Sequence, residues 1–321
     1  MSLNNFLPSS TTASLIVAKA PLTITASNKT KVYGASNPAL TVTYDGFKGT
    51  DDATILSTAP TVSTIATNTS AVGNYAITAS NAAADNYAIS YVNGSLSVTK
   101  APLTITATEV SKVYGSTLAV VNSSDKFTAA TTVTGESVTS VTLTPNADAA
   151  ATTTAAGASY QMTPSSAAGT GGFVATNYEI TYVPYTGVVA KKALTITATG
   201  PNKVYGSAIV TTANATQFTS VGLVTGETIT GVTLTPNTAG SATTTAAGVA
   251  YIVTPSLPTG ANGFIAANYN ITYVPFEGSV SKKSLTATAD NKSKIYGATN
   301  PAFTITYDGF VNNDDAAVLT L

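Results

Sequence analysis

The residues able to do chemistry in this chain are few, and two absences decide most of the matter. The 321-residue sequence contains no His and no Cys. A Ser–His pair and a thiolate nucleophile are therefore excluded, and zinc loses both of its commonest ligand types. Carboxylate and lysine chemistry remain. Asp45 and Asp308 match each other in two Tyr-Asp-Gly motifs, Asp51-Asp52 and Asp314-Asp315 form two acidic pairs, and Glu136 and Glu227 lie in two Thr-Gly-Glu motifs. A working site carried along a repetitive chain should keep its acids in every copy, yet these sets fall in different copies. The sequence thus yields no catalytic residue, no cofactor-binding residue and no metal-ligand set, and we expect no enzyme. The acidic pairs offer calcium too few of the about six to eight oxygens it takes. They read instead as solvated caps of a short helical turn.

One lysine does recur. Lys31, Lys112, Lys203 and Lys294 each open a K-[VI]-Y-G motif. The plain expectation is a strand-end lysine whose stem covers an aromatic ring while its ammonium stays in water. The sharper one is an isopeptide bond to Asn86, Asn177 or Asn268. That reaction needs a buried acid nearby, none recurs in step, and we expect no such bond. In the same motif Tyr33 should bury its ring and find a rim partner for its hydroxyl, with Gly34 at positive φ. Lys19, Lys100, Lys191, Lys192, Lys282 and Lys283 cluster where repeats meet and suit the protection of strand edges. Tyr87 and Tyr91 alternate with small polar residues and read as core. A glycan or host-protein site would need exposed aromatics, for example Phe173 with Tyr185 or Phe264 with Phe276. Sequons at Asn28 and Asn214 are expected by chance in so Asn- and Thr-rich a chain.

The elements that hold these residues come from repetition. The K-[VI]-Y-G motif recurs at intervals of 112 − 31 = 81, 203 − 112 = 91 and 294 − 203 = 91 residues. KAPLTITA begins at Lys19 and Lys100, and varies to KALTITA at Lys192 and KSLTATA at Lys283. NYAISYVNG, NYEITYVPYTG and NYNITYVPFEG start at Asn86, Asn177 and Asn268. The expected organisation is a tail of an earlier repeat at 1–19, then repeats at 20–100, 101–192 and 193–283, and a truncated repeat at 284–321. The chain reads as a window on a longer array, with 284–321 poorly packed by itself. Repeats 1 and 4 are a short type; repeats 2 and 3 carry a longer middle with TGE, VTLTPN and ATTTAAG.

Strand character follows from alternation. Leu22, Ile24 and Ala26 oppose Thr23 and Thr25, and the pattern returns at Leu40/Val42/Tyr44, Leu96/Val98, Val141/Leu143 and Tyr87/Ile89/Tyr91. This predicts six or seven short strands per repeat in antiparallel sheets solvated on one face, with one helical turn at 51–56 and again at 314–319. Junctions such as SLSVTK-APLTITA contain no Gly/Ser-rich or Pro-rich linker, so an elongated, semi-rigid array is expected.

Composition agrees. Apolar residues make up 44% and charged residues only 9%, against about 25% in an average domain, so the chain can bury cores while Thr, Ser and Asn supply its polarity. The net charge is −1, with no Arg and scattered Lys, which argues against nucleic acid. No apolar run approaches the ~18 residues of a membrane helix. The first ten residues lack the features of an export signal, which would lie outside this fragment.

The motifs resemble the MBG domain of the YGX type. The likeness rests on K-[VI]-Y-G, N-P-A-[LF]-T-[VI]-T-Y-D-G-F and D-D-A in repeats 1 and 4. PTVSTIA at Pro60, GNYAITAS at Gly73 and NYAISYVNGSLSV at Asn86 extend it in repeat 1. Repeats 2 and 3 keep both ends and depart in the middle. The resemblance implies repetitive bacterial surface adhesins, often filamentous-haemagglutinin-like. It also implies a small β-rich domain, β-grasp-like or an Ig-like sandwich. It brings no catalytic residues, and the missing cysteines agree with export across an outer membrane. The function expected is a monomeric, extracellular, non-enzymatic stalk whose partners are its own neighbouring repeats. The alternative is repeats that themselves bind glycan or host protein.

Overall fold

The computed structural model describes residues 12–131 and 133–319. The first ten residues and most of the expected 1–19 tail lie outside the described residues. The first repeat contains seven strands: β1 (Ala20–Ala26), β2 (Lys29–Val32), β3 (Val42–Asp45), β4 (Thr61–Thr64), β5 (Gly73–Ser80), β6 (Tyr87–Val92) and β7 (Gly94–Thr99). They form two sheets, ordered β3-β1-β6 and β2-β7-β5-β4. Alternation sets the faces as expected: Leu22 and Ile24 of β1 are fully buried, whereas Thr23 and Thr25 are half-buried. Leu22, Ile24 and Ala26 of the first sheet meet Ile77, Ala79 and Leu96 of the second in one core cluster, closed by Tyr87. The repeat thus completes a hydrophobic core between its own two sheets.

The fold is mainly β and rich in antiparallel pairs, with one recurrent addition. β1 pairs antiparallel with β3, Thr23 opposite Asp45, and parallel with β6, Ala20 opposite Tyr87. β2 also runs parallel to β7. Each parallel pair joins strands far apart in sequence, since a hairpin can only deliver antiparallel partners. A period-two pattern looks the same in either direction, so alternation alone does not reveal it. An Ig-like topology is all antiparallel, so this layered pair of sheets differs from it in connectivity.

The first sheet recurs as Phe127–Ala129, Ala101–Ala107 and Tyr178–Val183, and again as Phe218–Val221, Lys192–Ala198 and Tyr269–Val274. The parallel register is kept, with Ala101 opposite Tyr178 and Lys192 opposite Tyr269. In the third repeat the second sheet is Thr212–Asn214, Thr228–Pro236, Ala250–Ala261 and Phe276–Ser279. In the segment expected to pack poorly, residues 284–319 contain the single pair Thr286–Ala289 and Ile305–Asp308, and Ile295, Tyr296 and Phe303 are exposed.

The helical turn expected at 51–56 is a 3-10 turn at Ala53–Ile55. The Asp52 carboxylate accepts the Thr54 backbone N–H at 2.8 Å, and Asp315 caps Ala316–Val318 in the same way. Two α-turns, Ala147–Ala150 and Thr238–Ser241, have no counterpart in the expected pattern. They are capped by Asn146 and Asn237, whose side chains accept the backbone N–H of Ala149 and Gly240. Asn before a short run is a capping signal, and VTLTPN carries it in both long repeats.

Two compact units can be distinguished. One holds Met1–Thr108, Val120–Thr144 and Thr163–Tyr185; the other holds Glu109–Ala119, Pro145–Met162 and Thr186–Leu321. The second repeat contributes to both. Among the described residues no helix is long and apolar enough to cross a membrane.

Candidate functional site

The feature that recurs is a coupling between consecutive repeats, built from the two motifs with the strongest spacing. In the first unit, the Tyr33 hydroxyl donates to Glu136 Oε1, and the Tyr178 hydroxyl donates to Glu136 Oε2 at 2.6 Å. One carboxylate therefore ties the K-V-Y-G tyrosine of repeat 1 to the Asn-Tyr tyrosine of repeat 2. The rings of Tyr33 and Tyr178 meet edge-on at 5.5 Å, and Phe173 stacks on Tyr178 at 5.2 Å. The neighbouring Asn177 accepts the Val72 backbone N–H on its Oδ1 at 3.0 Å. The Asn-Tyr dipeptide thus grips the preceding repeat with both side chains.

The second unit repeats the arrangement. Tyr114 donates to Glu227 Oε1, Tyr269 donates to Glu227 Oε2 at 2.6 Å, and Asn268 Oδ1 accepts from the Ala156 backbone N–H at 3.0 Å. The rings of Tyr114 and Tyr269 again meet edge-on at 5.5 Å. A third instance changes the acid: Tyr205 donates to Asp314 Oδ2 at 2.9 Å. In the short type the first Asp of the acidic pair takes the place of Glu, and Tyr87 donates to Asp51 Oδ2 at 2.6 Å.

The glycine after each tyrosine admits the next repeat. Gly34 has φ +85°, and a Cβ there would sit 2.6 Å from Val133 Cγ2; at Gly115, φ +81°, it would collide with Val224 Cγ2. A side chain would be strained by the backbone and would also push the neighbouring repeat away.

Electrostatics follow from geometry. Burial, and then the Glu136 carboxylate, raise the pKa of Tyr33 and Tyr178 above the ordinary 10.0; Tyr114 and Tyr269 are raised by burial and Glu227. For Tyr87 the hydrogen bond to Asp51 is the main cause of a raised value. Each hydroxyl is thereby kept as a donor. With both of its oxygens receiving O–H donors, the carboxylate serves as an acceptor clamp rather than a base aimed at a substrate.

The recurrent lysine departs from expectation. Lys31, Lys112 and Lys203 are buried at 7%, 1% and 1% exposure, so their ammonium groups are not in water. Backbone carbonyls replace the solvent. Lys31 Nζ donates to Ala35 O at 3.1 Å and to Thr67 O; Lys112 donates to Ala151 O at 2.7 Å and to Ser116 O. Lys203 donates to Ser207 O and Gly240 O, both at 2.9 Å, and to Ala242 O. A turn carbonyl four residues on and loop carbonyls from later in the repeat make a ready-made cage, which outweighs the pull of water on a flexible stem. Burial lowers the pKa of all three. Asn268, the asparagine an isopeptide bond at Lys203 would need, is engaged elsewhere with the Ala156 backbone, while Lys203 holds its carbonyls.

The other candidate residues disperse. Tyr91 is 38% exposed, at the rim rather than in the core expected for it, because its hydroxyl accepts the Ala82 backbone N–H at 2.8 Å. Phe173 and Phe264 stack on Tyr178 and Tyr269, and Phe276 packs against Tyr251. Asp45 and Asp308 face Thr23 and Thr286 across antiparallel pairs. Lys100, Lys191, Lys282 and Lys283 are exposed, Lys192 is half-buried, and Lys19 donates to Ala84 O at 3.2 Å. Among the described residues, no three metal-ligating side chains gather. The carboxylate clamp is hidden in the sequence because its acid stands 42 residues before the tyrosine in the long type and 36 in the short.

Residues 22–97 and 285–321 match the family model of the MBG domain (YGX type). The matched stretches are the two short-type segments, which are similar to that domain. The family is typical of surface proteins and is not a known enzyme family. No curated protein matches the chain.

Proposed function

We propose that these MBG-like segments and the two long-type repeats between them form a non-enzymatic stalk of a bacterial surface or secreted adhesin. The repeats, at 20–100, 101–192, 193–283 and 284–321, space a distal binding region from the envelope, and each repeat's partners are its neighbours in the same monomeric chain. The observation that carries this reading is the recurrent clamp, in which one carboxylate joins tyrosines of successive repeats at Glu136 and Glu227. A buried, hydrogen-bonded aromatic coupling favours one relative orientation, as a semi-rigid spacer requires. Small-angle scattering of the chain tests it. A compact body of this length has a radius of gyration of about 20 Å, whereas a spacer should exceed about 30 Å. A value near the compact one would overturn the proposal.

A further inference from the structure

The segments by which the chain enters and leaves a repeat lie side by side. In the first repeat Ala20 pairs with Tyr87 and Val32 with Thr99, both in parallel, and the offset is constant: 87 − 20 = 67 and 99 − 32 = 67. Residues 20–32 and 87–99 therefore keep one register while both pass from the first sheet to the second. At the bend Asn28 Oδ1 accepts the Ser95 backbone N–H at 2.8 Å, and a Cβ on Gly94 would collide with Ala26 O. The ends are closed by the Ala20 N–H donating to Asn86 O at 2.9 Å and the Tyr33 N–H donating to Thr99 O at 2.8 Å. The third repeat keeps the arrangement. Lys192 pairs with Tyr269 and Val204 with Ser281, again in parallel, with 269 − 192 = 77 and 281 − 204 = 77.

Strand direction gives this ladder a mechanical meaning. The chain before Ala20 and the chain after Thr99 leave from opposite ends of two parallel strands. Tension along the chain therefore slides the strands past each other and loads their evenly spaced hydrogen bonds together. An edge strand pulled sideways loses them one at a time. β1 is flanked by β3 and β6, and β7 by β2 and β5, so neither loaded strand has a free edge from which to peel. Lys31, within β2, is tied through its ammonium to Ala35 O and Thr67 O, which fastens the far end of the ladder to the body of the repeat. Lys203 is held in the same way by Ser207 O, Gly240 O and Ala242 O.

We propose that these two ladders are shear clamps that give their repeats a load-bearing function, with Lys31 and Lys203 as the anchoring residues. The proposal rests on the stalk reading only for the source of the tension, because each clamp lies within a single repeat.

Single-molecule force spectroscopy of the whole chain tests it, with handles on cysteines introduced into a sequence that has none. Lys19→Cys with Lys100→Cys loads the first ladder in shear, whereas Lys19→Cys with Asp85→Cys draws the edge strand β6 away from β1 at their adjacent ends. At one loading rate the shear pair should need at least about twice the force of the peeling pair. Adding Lys31→Met should lower the shear force by at least about a quarter and leave the peeling force unchanged. Equal forces in the two geometries, measured with the native lysine, would overturn the clamp. An equal fractional loss in both geometries from Lys31→Met would overturn the anchoring role. A compact radius of gyration combined with the twofold difference would sink the stalk and leave the clamp standing.

Discussion

The Tyr-Gly turns at residues 33–34 and 296–297 share a sequence and a backbone but not an environment. Gly34 and Gly297 both have φ +85°, yet Tyr33 is 4% exposed and Tyr296 is 103% exposed. The lysines behave likewise: Lys31 is buried among carbonyls, whereas Lys294 is exposed and reaches Ala298 O at 3.4 Å. The turn is therefore encoded locally by Tyr-Gly itself. Burial of the tyrosine is conferred by the next repeat, through Glu136, Val133 and Tyr178, and burial of the lysine by loop carbonyls of its own repeat.

The sharpest way to break this contrast is to remove a ring. Tyr114→Ala should cost about 3–5 kcal/mol of local stability, as deletion of a buried aromatic does, while Tyr296→Ala should change stability by less than about 0.5 kcal/mol. Amide-exchange protection of Ala101–Ala107 and Tyr269–Val274 reads both. Next comes the cage. Lys112→Met leaves Ser116 and Ala151 carbonyls unpaired and should destabilise its repeat by about 1–3 kcal/mol, whereas Lys294→Met should be neutral; exchange of the loop around Ala151 reports it. Gly115→Ala should cost about 1–3 kcal/mol and loosen the contact with Val224, but Gly297→Ala, where nothing lies within 4 Å, should show only the backbone component. Thermal scans of the paired variants separate the two.

The smallest effect is the dependence on pH. Tyrosines whose folded pKa is raised contribute stability that is complete below about pH 10 and is lost as pH climbs through the folded value. The buried lysines act oppositely, because their lowered pKa penalises the charged form until pH passes it. The difference between the native chain and Tyr178→Phe isolates the tyrosine. Above about pH 10 the native chain should lose its advantage over the variant, and a constant gap from about pH 7 to about pH 12 would contradict this origin.

Much of the fold was legible because burial in strands writes a period of two. Leu22/Ile24/Ala26 and Leu96/Val98 declared their faces, and Asp52 declared its cap. The parallel pairing of β1 with β6 was not legible, because alternation carries no direction. Asn146 and Asn237 are legible caps overshadowed by the stronger strand pattern around them. The burial of Lys112 was hidden for another reason: its partners are carbonyl groups, which every residue has and no side chain advertises. The clamp was hidden because Asp51 and Glu136 reach one position from loops of different length.

That last substitution has an evolutionary reach. The sequence contains a short repeat followed by a long one, a long by a long, and a long by a short, met by Tyr33–Glu136, Tyr114–Glu227 and Tyr205–Asp314. Both repeat types present the same plug and the same socket, so the three orders found in this chain share one kind of boundary. A gene built this way can gain, lose or reorder its modules by recombination without inventing a new boundary each time.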